Sequence, residues 1–261
     1  MRKLLNQRAC FIIFLIVFLV VASTAWTEAA IYKWLQPYDL ENGYDIESYY
    51  AEDSGALHIV ADDWLCTNNL PVTDIHWWGS YWENIGGNWV PYAGEEDPYR
   101  ALGTSPQFLL RIYTDVPVSG NNPYSHPGDM IWEHPTSFPG GFVGHEQNPI
   151  MENASKFEWN WNLREEWYFN QDPGENVYWL SIFQILRPND QYLWGWETSS
   201  EHWNDIATYW DGDEWYPVAE ELTDMAFGLT TPIPTPGVMP LLGSVLFGLY
   251  GFNAVFRKKK Q

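Results

Sequence analysis

Punctuation is what most constrains this chain. Short runs of strand-forming residues at 57–66, 72–82, 107–116, 130–134, 156–161, 176–186, 192–198 and 225–230 are separated by turn clusters. These are Asn84-Ile85-Gly86-Gly87-Asn88, Ser119-Gly120-Asn121-Asn122-Pro123, Pro139-Gly140-Gly141 and Asp172-Pro173-Gly174. Glycine supplies backbone angles that other residues avoid and proline removes a donor, so each cluster ends a strand and reverses the chain. An all-β architecture follows, an antiparallel β-sandwich or jelly-roll-like single domain. Only 162–169 and 199–209 read as helices, the second with Ser200 placed to cap a turn around Trp203.

Such a domain must be held by its core. Of two cysteines, Cys10 lies in the N-terminal apolar stretch and Cys66 stands alone in the rest, so the exported part closes no internal disulfide. Aromatic residues make up 18% of the chain and include 17 Trp, and most of those rings are expected inside.

Alternation assigns the faces. In 107–116, Phe108, Leu110, Ile112 and Val116 share one face while Arg111 and Asp115 take the other, which describes a half-buried strand. In 176–186, Val177, Trp179, Phe183 and Ile185 stand opposite Tyr178, Leu180 and Ile182, so a central strand covered on both sides is expected. In 72–82, Ile75, Trp77 and Tyr81 point inward, and Asp74, His76, Trp78, Ser80 and Trp82 point the other way. That second face mixes rings with hydrogen-bonding groups, as a carbohydrate platform does, and Trp89 and Tyr92 could extend it. Trp78, Trp82, Trp89, Asp74 and His76 are therefore the candidate ligand-binding residues; the alternative is that the loop running to Ser105 covers these rings.

The two ends supply an address. Arg2, Lys3 and Arg8 precede an apolar stretch at 11–22 and small residues at Ser23, Ala25, Ala29 and Ala30, the order of a secretory signal peptide over 1–30, with a retained anchor as the alternative. At the other end a Pro-rich spacer (231–237) precedes the apolar run 238–256 and the basic tail 257–261. At about 1.5 Å per residue that run is long enough, as a helix, for a hydrocarbon core about 30 Å thick. The cations behind it leave the C-terminus cytoplasmic and place 31–230 outside. The motif Pro234-Thr235-Pro236-Gly237, the apolar run and the basic cluster starting at Arg257 resemble the PEP-CTERM class of bacterial sorting tails. That resemblance implies an exosortase-like enzyme as partner and a cell-surface or extracellular location. The name-giving Pro-Glu-Pro is absent, and without such an enzyme the same tail is a plain membrane anchor.

Charge and motifs exclude much else. Six of the 13 Lys and Arg fall in the exported part, against nearly all of the 34 acids, so nucleic acid is not an expected partner. Asp62-Asp63 and Asp211-Gly212-Asp213-Glu214 offer oxygen ligands that calcium would suit, but neither has EF-hand spacing, and no cofactor or metal is expected. The histidines show no zinc-binding pair. Glu158, Glu165, Glu166 and Glu197 could furnish the carboxyl pair of a glycoside hydrolase, yet with so many acids such a pair is no signal, and no enzyme is expected.

Several segments together resemble an uncharacterised domain family of exported bacterial and archaeal proteins. They include Lys33-Trp34-Leu35-Gln36-Pro37, Ala61-Asp62-Asp63-Trp64-Leu65-Cys66, Pro71-Val72-Thr73-Asp74-Ile75-His76-Trp77-Trp78-Gly79-Ser80, Asn121-Asn122-Pro123-Tyr124-Ser125-His126-Pro127-Gly128, Tyr178-Trp179-Leu180 and His202-Trp203-Asn204-Asp205. The resemblance covers about 31–230 and implies export and one domain, with no activity attached. Asp62, Asp63, Asp74, His76, His126, His202 and Asn204 are equally explained as buried hydrogen-bond networks that fix loops. The function expected is a non-catalytic surface or matrix protein that binds polysaccharide through an aromatic face. A purely structural or protein-binding domain, and a secreted carbohydrate-active hydrolase, are the alternatives.

Overall fold

The computed structural model describes residues 30–232, apart from 121, 150, 173, 175 and 219–222. The expected signal peptide except Ala30, most of the spacer, the expected helix at 238–256 and the expected sorting residues Pro234, Pro236, Gly237 and Arg257 lie outside the described residues. Among the described residues no helix is long and apolar enough to cross a membrane.

The strands are β1 (Ala30–Gln36), β2 (Asp45–Glu47), β3 (Tyr49–Ala51), β4 (Leu57–Cys66), β5 (Asp74–Ile85), β6 (Asn88–Pro91), β7 (Phe108–Val116), β8 (His126–Thr136), β9 (Gly141–His145), β10 (Ser155–Asn162), β11 (Asn176–Leu186), β12 (Tyr192–Glu197), β13 (Thr208–Trp210), β14 (Trp215–Pro217) and β15 (Phe227–Pro232). They form two sheets. In the first, the long β5 is flanked on one side by β15 and then β12, and on the other by β10 and then β6, with β1, β2 and β9 outside them. The second runs β14-β13-β4-β3-β11-β7-β8, with β4 also paired to β11.

One large core joins the sheets. Trp77, Tyr81, Trp159, Trp194, Trp196 and Phe227 of the first sheet meet Val60, Trp64, Leu110, Ile112, Leu180 and Ile182 of the second, all of them buried. The rings meet edge to face more often than stacked, as with Phe108 against Trp194 (5.1 Å, 78°), the arrangement that aromatic quadrupoles favour. The faces expected for β7 and for Ile75, Trp77 and Tyr81 on β5 are those observed.

Three expectations change. The sheets are not wholly antiparallel, since β3 runs parallel to β11. The expected helix at 162–169 reduces to a single 3-10 turn, Glu165–Trp167. That at 199–209 is absent: the chain loops there and then enters β13. The reason is local. Asp224 accepts the Trp203 N–H (2.6 Å), and Asn204 takes a left-handed conformation (φ 58°), so side-chain partners claim backbone that a helix would need. One short helix was not foreseen, α1 (Pro98–Ala101), capped by Asp97, which accepts the N–H of Tyr99 (2.9 Å) and that of Gly140 (2.7 Å).

Candidate functional site

The outer face of β5 is divided along its length. At one end Asp74, His76 and Ser80 are buried, and Trp78 is 6% exposed beneath the ring of Tyr38 (5.3 Å), which precedes β2 rather than lying in the loop to Ser105. At the other end Trp82 is half-buried and Trp89 is 43% exposed; the β5–β6 register sets both on the same side of that hairpin. The candidate residues therefore do not form one platform. His76 lies with Nε2 3.1 Å from Asp74 Oδ2 and Nδ1 3.6 Å from Glu158 Oε1, with Tyr32 against its ring (5.6 Å). Burial alone would lower its pKa, but the two carboxylates outweigh burial and push it up to about 9. The result is an imidazolium clamped between two acids, a tie between β5 and β10.

The open concavity lies elsewhere. The outer face of the second sheet carries a groove of about 750 Å³, lined by Tyr50, Tyr113, Phe183, Trp210, Trp215 and Arg111, with His126 at β8. Trp215 meets Tyr113 edge to face (5.7 Å) and Trp210 at 5.5 Å. Arg111 is fixed over Phe183 (5.0 Å) and paired with Glu133 through Nε (2.7 Å). Among the described residues no carboxylate lines this groove. Its signal in the sequence was the doubly apolar pattern of 176–186 together with Arg111 on the off-core face of 107–116. What the sequence did not show was that β13 and β14, short strands at residues read as helix and loop, bring Trp210 and Trp215 to the rim.

Two buried polar clusters account for most of the remaining candidates. In the first, Asp62 Oδ2 accepts the Met225 N–H (2.7 Å), and Asp224 accepts from Gln36 Nε2 (2.9 Å) and pairs with His202 Nδ1 (2.7 Å). Asn204 Nδ2 donates to Asp63 Oδ2 (2.7 Å). Asp62, Asp63, His202 and Asn204 thus form one network that fastens the 199–207 and 223–226 segments to β4. Burial raises the pKa of Asp62 and of Asp224 and lifts that of Asp63 to about 8. The acidic turn at 211–214 closes on itself, with Asp211 Oδ1 accepting the N–H groups of Asp213 (2.9 Å) and Glu214 (3.1 Å).

The second cluster centres on Lys156. Its Nζ lies 2.9 Å from Asp45 Oδ1 and 3.2 Å from Glu146 Oε2 and is in contact with Glu197 Oε2; all four side chains are 0% exposed. Glu197, one of the carboxyls considered for hydrolysis, is therefore sealed inside. Glu158 is engaged by His76, and Glu165 and Glu166 sit exposed on the 3-10 turn. Sequence reasoning missed Lys156 and Asp45 altogether. The available signal was a lone lysine entering an otherwise aromatic strand.

Two sheets packed face to face on an aromatic core define an all-β domain consistent with the sandwich class. Residues 32–230 match the family model described as a domain of unknown function, DUF7901, and the chain belongs to that family. No curated protein and no solved structure matches it.

Proposed function

We propose that this is an exported, non-catalytic cell-surface or matrix protein that binds a neutral polysaccharide in the groove of the second sheet. The observation that carries the proposal is the ring set Tyr50, Tyr113, Trp210 and Trp215 lining an open concavity whose one guanidinium is already paired with Glu133. Aromatic faces pack against the C–H faces of sugars, and hydroxyl and imidazole groups at the rim meet sugar hydroxyls. A chain of net charge −21 repels acidic glycans, and Arg111 is not free to offset that, so a neutral one is favoured. Export and anchoring rest on the two ends: a signal peptide over 1–30, and a tail from 231 onward that serves as membrane anchor or as substrate of an exosortase-like enzyme. No cofactor and no catalytic residue belong to this proposal; a hydrolase would need carboxyls facing the groove, and none is among its described lining residues.

A purely structural or protein-binding role is favoured by the burial of Trp78. Tryptophan fluorescence, titrated with neutral and acidic polysaccharides, separates the two. A saturable change with a neutral glycan, lost in Trp210→Ala and Trp215→Ala and kept in Trp89→Ala, supports binding in the groove. A folded protein that responds to no glycan overturns it in favour of the structural role.

A further inference from the structure

Lys156 is a nucleophile sealed among three carboxyls, and those carboxyls are not equivalent. Asp45 is held through its second oxygen, Oδ2, which accepts from Ser80 Oγ. Glu146 is held through Oε1, which accepts the N–H groups of Gln147 (2.9 Å) and Asn148 (3.0 Å). Glu197 has neither kind of support: both of its oxygens are buried without a hydrogen-bond partner, and a Cβ at Gly43 would collide with Oε1. The Lys156 Nζ is also without an aligned hydrogen bond, although it lies within ion-pair distance of all three acids. In a dry site, an amine and a carboxyl left to each other pay a desolvation cost that a neutral amide would not.

We propose that Lys156 and Glu197 condense into an intramolecular amide. The Nζ lone pair attacks Glu197 Cδ, a C–N bond forms, and the C–O bond to one carboxyl oxygen breaks. The amine's protons pass through the carboxyls of Asp45 and Glu146, which stand 2.9 and 3.2 Å from Nζ, to the departing oxygen, which leaves as water. Nothing is oxidised or reduced, and no co-reactant enters. The remaining amide N–H keeps Asp45 or Glu146 as its acceptor, so the two held carboxyls serve as proton relays and then as partners. Register shows what the bond would fasten. Lys156 on β10 and Gly195 on β12 both pair with Ser80 of β5, from opposite sides, so the amide would bridge β10 and β12 across the central strand.

Peptide mapping by mass spectrometry of the purified, denatured full chain tests this and is blind to any processing at the ends. The expected result is one branched peptide joining the Lys156 and Glu197 segments, lighter than their sum by about 18 Da, one water. In Lys156→Arg, which keeps the charge, the two segments should separate, with circular dichroism confirming that the variant is folded. Recovery of the wild-type segments as separate linear peptides of full mass overturns the proposal, and so does a branch to Asp45 or Glu146 instead of Glu197. Neither outcome depends on any variant folding.

Discussion

The two buried acid clusters hold three carboxyls each and solve the same problem differently. Around Asp45, Glu146 and Glu197 the partner is a single lysine nitrogen, Lys156 Nζ, with all four side chains fully buried. Around Asp62, Asp63 and Asp224 no lysine or arginine is paired among the described residues; the partners are the backbone N–H groups of Met225 and Trp203, the amides of Gln36 and Asn204, and His202. One lysine helped by a few dipoles serves one site, and dipoles with a single imidazole serve the other. The first arrangement concentrates its cost on one residue. The second spreads it over many donors and leaves the acids with raised pKa values, burial being the leading cause.

Removing the Lys156 side chain should have the largest effect. Lys156→Met leaves three uncompensated buried acids, and stripping one partner from a buried ionic group costs about 3–5 kcal/mol. Denaturant unfolding should show a loss of that order or a chain that does not fold; a loss under about 1 kcal/mol would mean that the two clusters are not opposites after all. In the second cluster no single change should match it. Asp224→Ala strands the Trp203 N–H, the Gln36 amide and His202, for which a cost of about 1–3 kcal/mol is expected by the same measurement.

Stability should also depend on pH through Asp63 of the second cluster and through His76. Asp63 is held near 8 in the fold against 3.8 ordinarily, so between those values the folded chain keeps a proton that the unfolded chain has released. More protons bound to the native state means stability falling as pH rises across that window. His76, lifted from 6.5 to about 9, adds stability that is present below 6.5 and lost as pH climbs through 9, the same sign in a higher window. Thermal midpoints taken from pH 5 to pH 8 should decline, and Asp63→Asn should flatten the lower part of that decline. A midpoint that rises over this range in the wild type would show that Asp63 is ionised in the fold.

How much of this was legible in the sequence depended on whether it was local. β4 and β11 were readable to the residue because a run of strand-forming residues and the turn residues that bound it are local signals. The short β2, β3, β13 and β14 were not, since strands of three residues exist only because a longer neighbour pairs with them. The same distinction governs the sites. Asp74, His76 and Trp78 could be put on one face of a strand, but what lies over that face comes from Tyr32 and Tyr38, which no alternation announces. Asp45, Glu146, Lys156 and Glu197 lie on four separate stretches, and only the pairing of β2, β5, β10 and β12 brings them together.

The smallest effect dissects one residue of the dipole-rich cluster. Asn204 does two things: its amide donates to Asp63 (2.7 Å), and its backbone sits at φ 58°, a conformation that costs an ordinary L-residue about 1 kcal/mol and glycine almost nothing. Asn204→Ala and Asn204→Gly both remove the donor, and only the alanine carries the backbone penalty. The alanine variant should therefore be the less stable by about 1 kcal/mol, and the loss common to both should approach the value of one hydrogen bond to a protonated carboxyl, about 1 kcal/mol. If the glycine variant proved as stable as the wild type, the amide would be contributing nothing. The donors around Asp63 would then be spectators, and its proton alone would be what lets that acid stay buried.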